Sequence, residues 1–412
     1  MNEEKYEIIS IAAADLQLNQ ELDGIIPKAW VDIPSLGKVL FKEAADERES
    51  IAESRTDWSE KVVSEINQLV DLPTARYELA IATEDNEAVL GIVSVDLSQS
   101  EDEERFPIEE LLGQFLNKYD YDYDYQVNNV IKALSDNNIG LPPNSKVPEG
   151  INDAADMFVG ILMMDAAVGN SDRHDRNLDI VRQTNGQVYL SPVFDQGYSL
   201  GAAEDNDLRS WIDPYHYNLH HNFSSFSING ENISGIEAFT QGAGLRPEAA
   251  KIWLEELRII DTEQIEQIFQ RLPERTVSPE AQKFALDLFV YNQKQLLDLN
   301  QEISEYNEQQ ERVEKVAPIL IDYLKLNQKQ KVESRKSIIE FDSDSKSISY
   351  EDKQDNNEYL KAKYTKGKWY NIDSNISQDK ESYFIEIAAP KIAIEQNQID
   401  ISSLQKSRER SL

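Results

Sequence analysis

The chain has 412 residues, with 41 Lys or Arg against 76 Asp or Glu, which leaves a formal charge of −35 at pH 7. A field of that sign repels phosphate backbones and anionic headgroups, so direct binding to nucleic acid or to a membrane is not expected. At 40% hydrophobic and 28% charged residues the chain is too apolar for full disorder, and without cysteine it has no disulfide, thiolate metal site or cysteine nucleophile.

The opening residues, Met1 to Lys5, have neither a basic start nor an apolar stretch, so no secretory signal is expected and the protein reads as cytoplasmic. Ala29–Ile33 and Lys38–Lys42 read as strands around a turn at Pro34–Gly37. A helix follows, opened by Asp57 with Glu60 three residues on, a capping-box pattern. Trp58, Val62, Ile66, Leu69 and Val70 recur at helical spacing as its buried stripe. Tyr77–Thr83 and Val89–Val95 read as further strands, which makes residues 1–95 a small strand-rich lobe.

Beyond an acid-rich loop, Ser98–Glu104, helices are predicted over Ile108–Leu116, Val127–Leu134 and Ala154–Val168. The apolar run Met157–Val168 is interrupted by Gly160 and Asp165 and is too short to span a bilayer. Leu178–Val181 and Val188–Leu190 read as two short strands, because Asn185-Gly186 between apolar runs is a strong hairpin signal. Helices over Pro247–Leu257, Thr262–Gln270 and Pro279–Leu299 complete a mainly helical lobe over residues 96–300. In the accessory segment 301–412, Gln301–Leu324 reads as a charged helix followed by a Lys/Gln/Ser-rich stretch. A small sheet is then predicted at Ile348–Tyr350, Tyr359–Tyr364, Trp369–Ile372 and Tyr383–Ile387, with a turn at Lys366-Gly367-Lys368. Ser402–Leu412 reads as a frayed polar tail.

The densest chemical signal is Gly169-Asn170-Ser171-Asp172-Arg173-His174-Asp175-Arg176-Asn177, with Asp195-Gln196-Gly197 after the hairpin. Phosphoryl transfer needs a carboxylate that orients or deprotonates the attacking hydroxyl, and a pair of oxygen ligands for Mg²⁺ on the ATP phosphates. In protein kinases the catalytic Asp lies five residues before a metal-binding Asn, and a later Asp-x-Gly supplies the second ligand. Asp172 and Asn177 have that spacing, and loop, hairpin and Asp195 in that order bring the positions back to one site. Tyr119–Tyr125, which alternates Tyr and Asp, reads as a solvated edge. His216, His220 and His221 have no acids at ligand spacing and read as surface or core residues.

The segment Gly169–Asn177, together with Leu190-Ser191-Pro192-Val193-Phe194-Asp195-Gln196-Gly197-Tyr198-Ser199-Leu200-Gly201, resembles the catalytic segment of HipA-like kinases. Its Asp-Arg-His order also resembles phosphoinositide kinases. The resemblance implies an α+β, two-lobed protein-kinase-like fold with a small strand-rich N-lobe, a mainly helical C-lobe and an accessory C-terminal module. It implies Mg-ATP as cosubstrate and transfer of the γ-phosphoryl group to a Ser or Thr hydroxyl of a protein; a lipid or small-molecule kinase and a pseudokinase scaffold are the alternatives. By resemblance Asp172 is the catalytic base, Asn177 and Asp195 hold the metal, and Lys42 braces the phosphates. Lys28 and His174 join Lys42 as nucleotide-binding candidates, Lys28 beside a phosphate-covering loop at Gly24–Trp30. Counting back from Val70-Asp71-Leu72-Pro73 assigns Glu60 as the partner of Lys42, and helical periodicity leaves Glu65 as the alternative. Family analogy also implies a protein substrate or an antitoxin-like partner.

Overall fold

The structure is a computed structural model, and it describes residues 4–12, 28–44, 56–84, 87–97, 102–115, 125–228, 230–334, 336–353, 359–365 and 368–393. Most of the segment Gly24–Trp30, expected to cover the phosphates, nearly all of Tyr119–Tyr125, the turn residues Lys366 and Gly367, and the tail Ser402–Leu412 lie outside the described residues. The chain divides into two compact units, Met1–Asp298 and Leu299–Leu412. No helix among the described residues is long and apolar enough to cross a membrane.

The first unit begins with a five-stranded sheet made of β1 (Ile9–Ile11), β2 (Lys28–Ile33), β3 (Gly37–Glu43), β4 (Tyr77–Glu84) and β5 (Glu87–Val95), in the order β1-β4-β5-β3-β2. Only the β1–β4 pairing is parallel. Gly37 closes the β2–β3 hairpin at φ +78°, a conformation that side chains with a Cβ resist. Side chains alternate along a strand. Val39 and Phe41 of β3 therefore enter an apolar cluster with Val31, Ala80, Ala82 and Val93 on one face, and Lys42 points to the other. Helix α1 (Asp57–Leu69) packs there against β4 and β5, burying Trp58, Val62, Ile66 and Val70, with Leu69 half-buried.

The expected capping box at Asp57 and Glu60 does not form. The N-cap is Thr56, in a helical backbone conformation and without a side-chain cap; this puts Ser59 rather than Glu60 at the third helical position, and the Glu60 carboxylate is engaged across the domain as described below.

The helical part of this unit is built on α2 (Ile108–Phe115), α3 (Val127–Asp136) and α4 (Ala154–Val168). Every residue of α4 is buried, as expected for a helix that is apolar all round apart from Asp156 and Asp165. Asp153 caps its start by accepting from the Asp156 N–H, and Gly169 ends it at φ +64°. Helices α7 (Gly235–Leu245) and α8 (Pro247–Arg258) pack against α4, and α3 packs against α4 and α7. Strands β6 (Glu104–Pro107), β7 (Asp179–Arg182) and β8 (Val188–Leu190) form a small antiparallel sheet, and its Asn185-Gly186 turn has Gly186 at φ +85°. Short helices α5 (Asn206–Trp211) and α6 (Pro214–His220) and the hairpin β9 (Phe223–Ile228) and β10 (Glu231–Ser234) precede α7; α9 (Thr262–Gln270) follows α8.

The helices expected at Pro279–Leu299 and Gln301–Leu324 are one continuous helix, α10 (Pro279–Leu326), which contains Pro318. Within the second unit Val313, Val316, Ala317, Leu320 and Leu324 of α10 form a core with Ile339, Ile348, Tyr350, Leu360, Ala362 and Ile376. These last residues belong to, or directly follow, an antiparallel meander of β11 (Lys331–Glu333), β12 (Ser337–Asp342), β13 (Ser347–Asp352), β14 (Tyr359–Thr365) and β15 (Lys368–Asn375). The strand expected at Tyr383–Ile387 is instead helical, a π-turn over Tyr383–Ala388 that continues α11 (Gln378–Ser382). Ser377 caps that helix by accepting from the Lys380 N–H. The alternating Tyr383, Ile385 and Ile387 are exposed, so their period marks no buried strand face.

Candidate active site

Lys42 sits at the end of β3, directly across the hairpin from Lys28. Its Nζ lies 3.2 Å from Glu60 Oε1 on α1 and 2.7 Å from Asp195 Oδ1. The other Glu60 oxygen, Oε2, accepts the Gln196 N–H at 2.8 Å. Glu60 thus holds both the lysine and the backbone of the Asp-x-Gly turn. Glu65, the alternative partner, is bound elsewhere, 2.8 Å from Lys61 Nζ and 3.9 Å from Arg271.

The environment sets the charges. Burial works against the Lys42 ammonium, but the Glu60 and Asp195 carboxylates outweigh it and push its pKa up. Burial raises Asp195, yet Lys42 beside it, helped by Lys28 and Arg173, holds the carboxyl below its ordinary value. Glu60 goes the other way: burial pushes it up against the pull of Lys42. Asp195 takes φ +53°, unusual for a residue with a Cβ, and its N–H donates to the Tyr77 hydroxyl oxygen at 3.0 Å. Gly197 allows close approach of α1, since a Cβ there would lie 3.0 Å from Thr56 Cβ and 3.4 Å from Glu60 Oε1. Ser59 Oγ donates to the carbonyls of Gln196 and Ser199, and Asn67 Nδ2 donates to Gln196 Oε1 at 2.9 Å.

The second wall is the loop after α4. Asn177 Nδ2 donates to the Asp172 carbonyl at 2.8 Å and lies 3.4 Å from Asp172 Oδ2. The two residues that the spacing singled out are therefore adjacent. The Asp172 N–H donates to Asn170 Oδ1 at 3.0 Å. Burial raises the Asp172 pKa, opposed by His174 and reinforced by Asp195. His174 accepts the Arg176 N–H on Nδ1 at 3.1 Å, and its Nε2 lies 3.8 Å from Asp172 Oδ1. Its contacts are within the loop itself.

Arg173 connects the two walls. It is 1% exposed; Nε and Nη2 donate to the Asp165 carboxylate at 2.9 and 3.1 Å. Its Nη1 donates to the carbonyls of Asn177 and Phe194 at 2.8 Å each. One guanidinium therefore ties the residue after Asp172 to Asn177 and to the residue before Asp195. Arg173, Asp165, Tyr77 and Ser59 were not singled out in the sequence. Asp165 carried a usable signal, because a carboxylate inside the apolar run Met157–Val168 has to be paired.

The donor set fits a hard divalent cation. Asp195 is held in its ionised form, and the Asn177 amide nitrogen is engaged in the loop, which leaves its amide oxygen for a ligand. Among the described residues no group of three His, Cys, Asp or Glu side chains is placed to hold a metal. A cation here would complete its shell from water and phosphate, as Mg²⁺ ordinarily does.

A small lobe with a Lys–Glu pair, set on a helical lobe whose loop and Asp-x-Gly turn face that pair, defines a kinase-like fold. No family model matches the sequence, and no curated protein matches it. Among solved structures, the chain is similar to the proinflammatory kinase CtkA of Helicobacter pylori, with TM-score 0.55 and 17% identity over 73% of this chain and 99% of that one. It is more distantly similar to HipA of Shewanella oneidensis, solved with HipB and its operator DNA, with TM-score 0.41 and 13% identity over 68% of this chain and 64% of that one. At such identity the first likeness establishes the fold.

Proposed function

We propose that this chain is an ATP- and Mg²⁺-dependent protein kinase that phosphorylates a Ser or Thr hydroxyl. The observation that carries the reading is Lys42, shared at 3.2 and 2.7 Å between Glu60 and Asp195, opposite a loop in which Asn177 is bonded to Asp172. Lys42 and Lys28 would meet the nucleotide phosphates, with Glu60 keeping Lys42 in place. Asn177 and Asp195 would hold Mg²⁺, which supplies charge neutralisation on the phosphates. Asp172 accepts the proton of the acceptor hydroxyl as its oxygen bonds to the γ-phosphorus. The bond from that phosphorus to the β–γ bridging oxygen breaks, and ADP leaves with the electron pair. Because burial raises the Asp172 pKa, the carboxylate is a stronger base than an exposed aspartate. The H. pylori neighbour is itself described as a kinase, which supports the reaction class.

The test is thermal unfolding of wild type and Asp195→Ala with and without Mg-ATP, paired with transfer of labelled γ-phosphate to protein. A nucleotide at 100 times its Kd stabilises the folded state by about 2.7 kcal/mol. That rise should need Mg²⁺ and vanish in the variant, along with transfer. Transfer at the wild-type rate by Asp195→Ala overturns the assignment.

A further inference from the structure

From Ser199 to Leu245 the chain carries Glu204, Asp205, Asp207, Asp213, Glu231 and Glu237, while its sole Lys or Arg is Arg209. Arg209 is buried, and its guanidinium donates to the carbonyls of Gly201 and Ala202 and to Asn206 Oδ1. Its charge is directed inward, so the surface of this segment is acidic. Large apolar side chains are nonetheless exposed on it: Trp211 at 71%, Tyr215 at 54%, Leu219 at 49% and Phe223 at 43%. Scattered exposed apolar residues are ordinary, whereas a contiguous group marks an interaction surface. Three of these four are contiguous. Tyr215, Leu219 and Phe223, spaced four residues apart, line one cavity of about 310 Å³ together with Ile236 and Tyr291.

The groove is tied to the catalytic loop. Phe223 starts β9, and Ser225 two residues on donates its Oγ to the carbonyl of Ser171, the residue before Asp172, at 3.1 Å. Asn222, also on the groove, packs where the C-cap Gly169 begins that loop, 3.0 Å from the position a Cβ would take. We propose that this groove docks the acceptor protein, and that the acceptor is a basic segment. It would place one large apolar side chain between Tyr215, Leu219 and Phe223, with Lys or Arg within a few residues. Charge selects this partner: a chain of formal charge −35 steers a basic segment in and repels an acidic one. The inference rests on the protein-kinase reading for its purpose, but docking can be measured without phosphotransfer.

The experiment is fluorescence anisotropy of full-length protein, without nucleotide, against labelled 15-residue peptides. Each peptide carries a central Leu or Phe and one Ser, set among Lys/Arg in one series and Glu/Asp in the other. The basic series is expected to bind at least about tenfold tighter than the acidic one, with affinity falling as salt rises. Leu219→Gln with Phe223→Thr should weaken it about tenfold while the Mg-ATP thermal shift stays at its wild-type value. The charge-reversed Asp207→Lys/Glu231→Lys protein leaves the groove lining unchanged and should bind the basic series more weakly, with a smaller margin over the acidic one, which secures the test if the first variant folds poorly. Equal binding of both series, preference for the acidic one, or no binding overturns the proposal. So does a concentration-dependent dimer in sedimentation that the groove variant abolishes, because the occupant is then a second copy. Absence of a Mg-ATP shift with basic-peptide docking intact would strike the kinase reading and leave the docking surface standing.

Discussion

Replacing Arg173 with Met removes the guanidinium that joins the two walls of the site. The side chain is 1% exposed and gives two hydrogen bonds to Asp165, one to the Asn177 carbonyl and one to the Phe194 carbonyl. Methionine approximates the volume but leaves Asp165, 5% exposed, as a buried carboxylate whose remaining side-chain donor is Asn170 at 2.8 Å. Breaking one partner out of a buried ion pair costs about 3–5 kcal/mol, and each orphaned carbonyl adds about 1 kcal/mol. The sum, roughly 5–7 kcal/mol, rivals the whole stability of a marginal domain, about 5–15 kcal/mol. At about 2–4 °C per kcal/mol it lowers Tm by roughly 10–28 °C. Urea unfolding followed by tryptophan fluorescence reads this directly, because Trp58 and Trp253 are fully buried in the same unit. The double variant Asp165→Leu/Arg173→Met removes both charges and should recover about 2 kcal/mol or more of the loss. A single-variant cost under about 1 kcal/mol, or a double variant as costly as the two singles summed, would refute the reasoning.

Three further outcomes are expected. Glu60→Gln should lower kcat/KM on the order of 10²-fold, the scale for losing a positioned electrostatic group, and Glu65→Gln should leave it near wild type; the reverse ranking in a phosphotransfer assay would return the pairing role to Glu65. Asp172 acts as a base only when ionised, and burial raises its pKa from 3.8, so activity should fall along an acid limb lying above that value. His174→Ala removes a side chain that opposes the rise and should move the limb further up in a pH–rate profile. A Cβ at Gly201, where φ is +66°, would meet Phe284 Cε1 at 2.5 Å, so Gly201→Ala should cost about 2–4 kcal/mol in denaturant unfolding. Gly186→Ala, at φ +85° with nothing within 4 Å, should cost about 1 kcal/mol.

Local signals located most of the first unit. The β2–β3 hairpin, α1 and the Asn185-Gly186 hairpin were legible because turn residues and apolar period agree there. The Asp172–Asn177 spacing and the Asp195 turn were legible as motifs, but the guanidinium joining them was not, because its partner Asp165 lies on the preceding helix and the contact is tertiary. Glu60 shows the ambiguity in miniature. Three residues after Asp57 it has the letters of a capping box, and only the position of Asp195 across the domain decides that its oxygens go to Lys42 and Gln196. The β9–β10 hairpin was missed although Asn229-Gly230 is the same turn signal as Asn185-Gly186, because Phe223–Ile228 alternates weakly and has exposed apolar ends. At Tyr383–Ile387 the alternation was clear but misleading, since the Ser377 cap starts a helix that runs through it.

Helix α4, buried at every residue from Ala154 to Val168, has a consequence for how this site can be controlled. Backbone amides so enclosed exchange with solvent only when the surrounding unit opens as a whole. The loop bearing Asp172 hangs from the last turn of that helix and is anchored back to it by Asp165. Displacing the loop therefore means spending the stability of the fold itself, and a switch built at this position would behave as an unfolding transition.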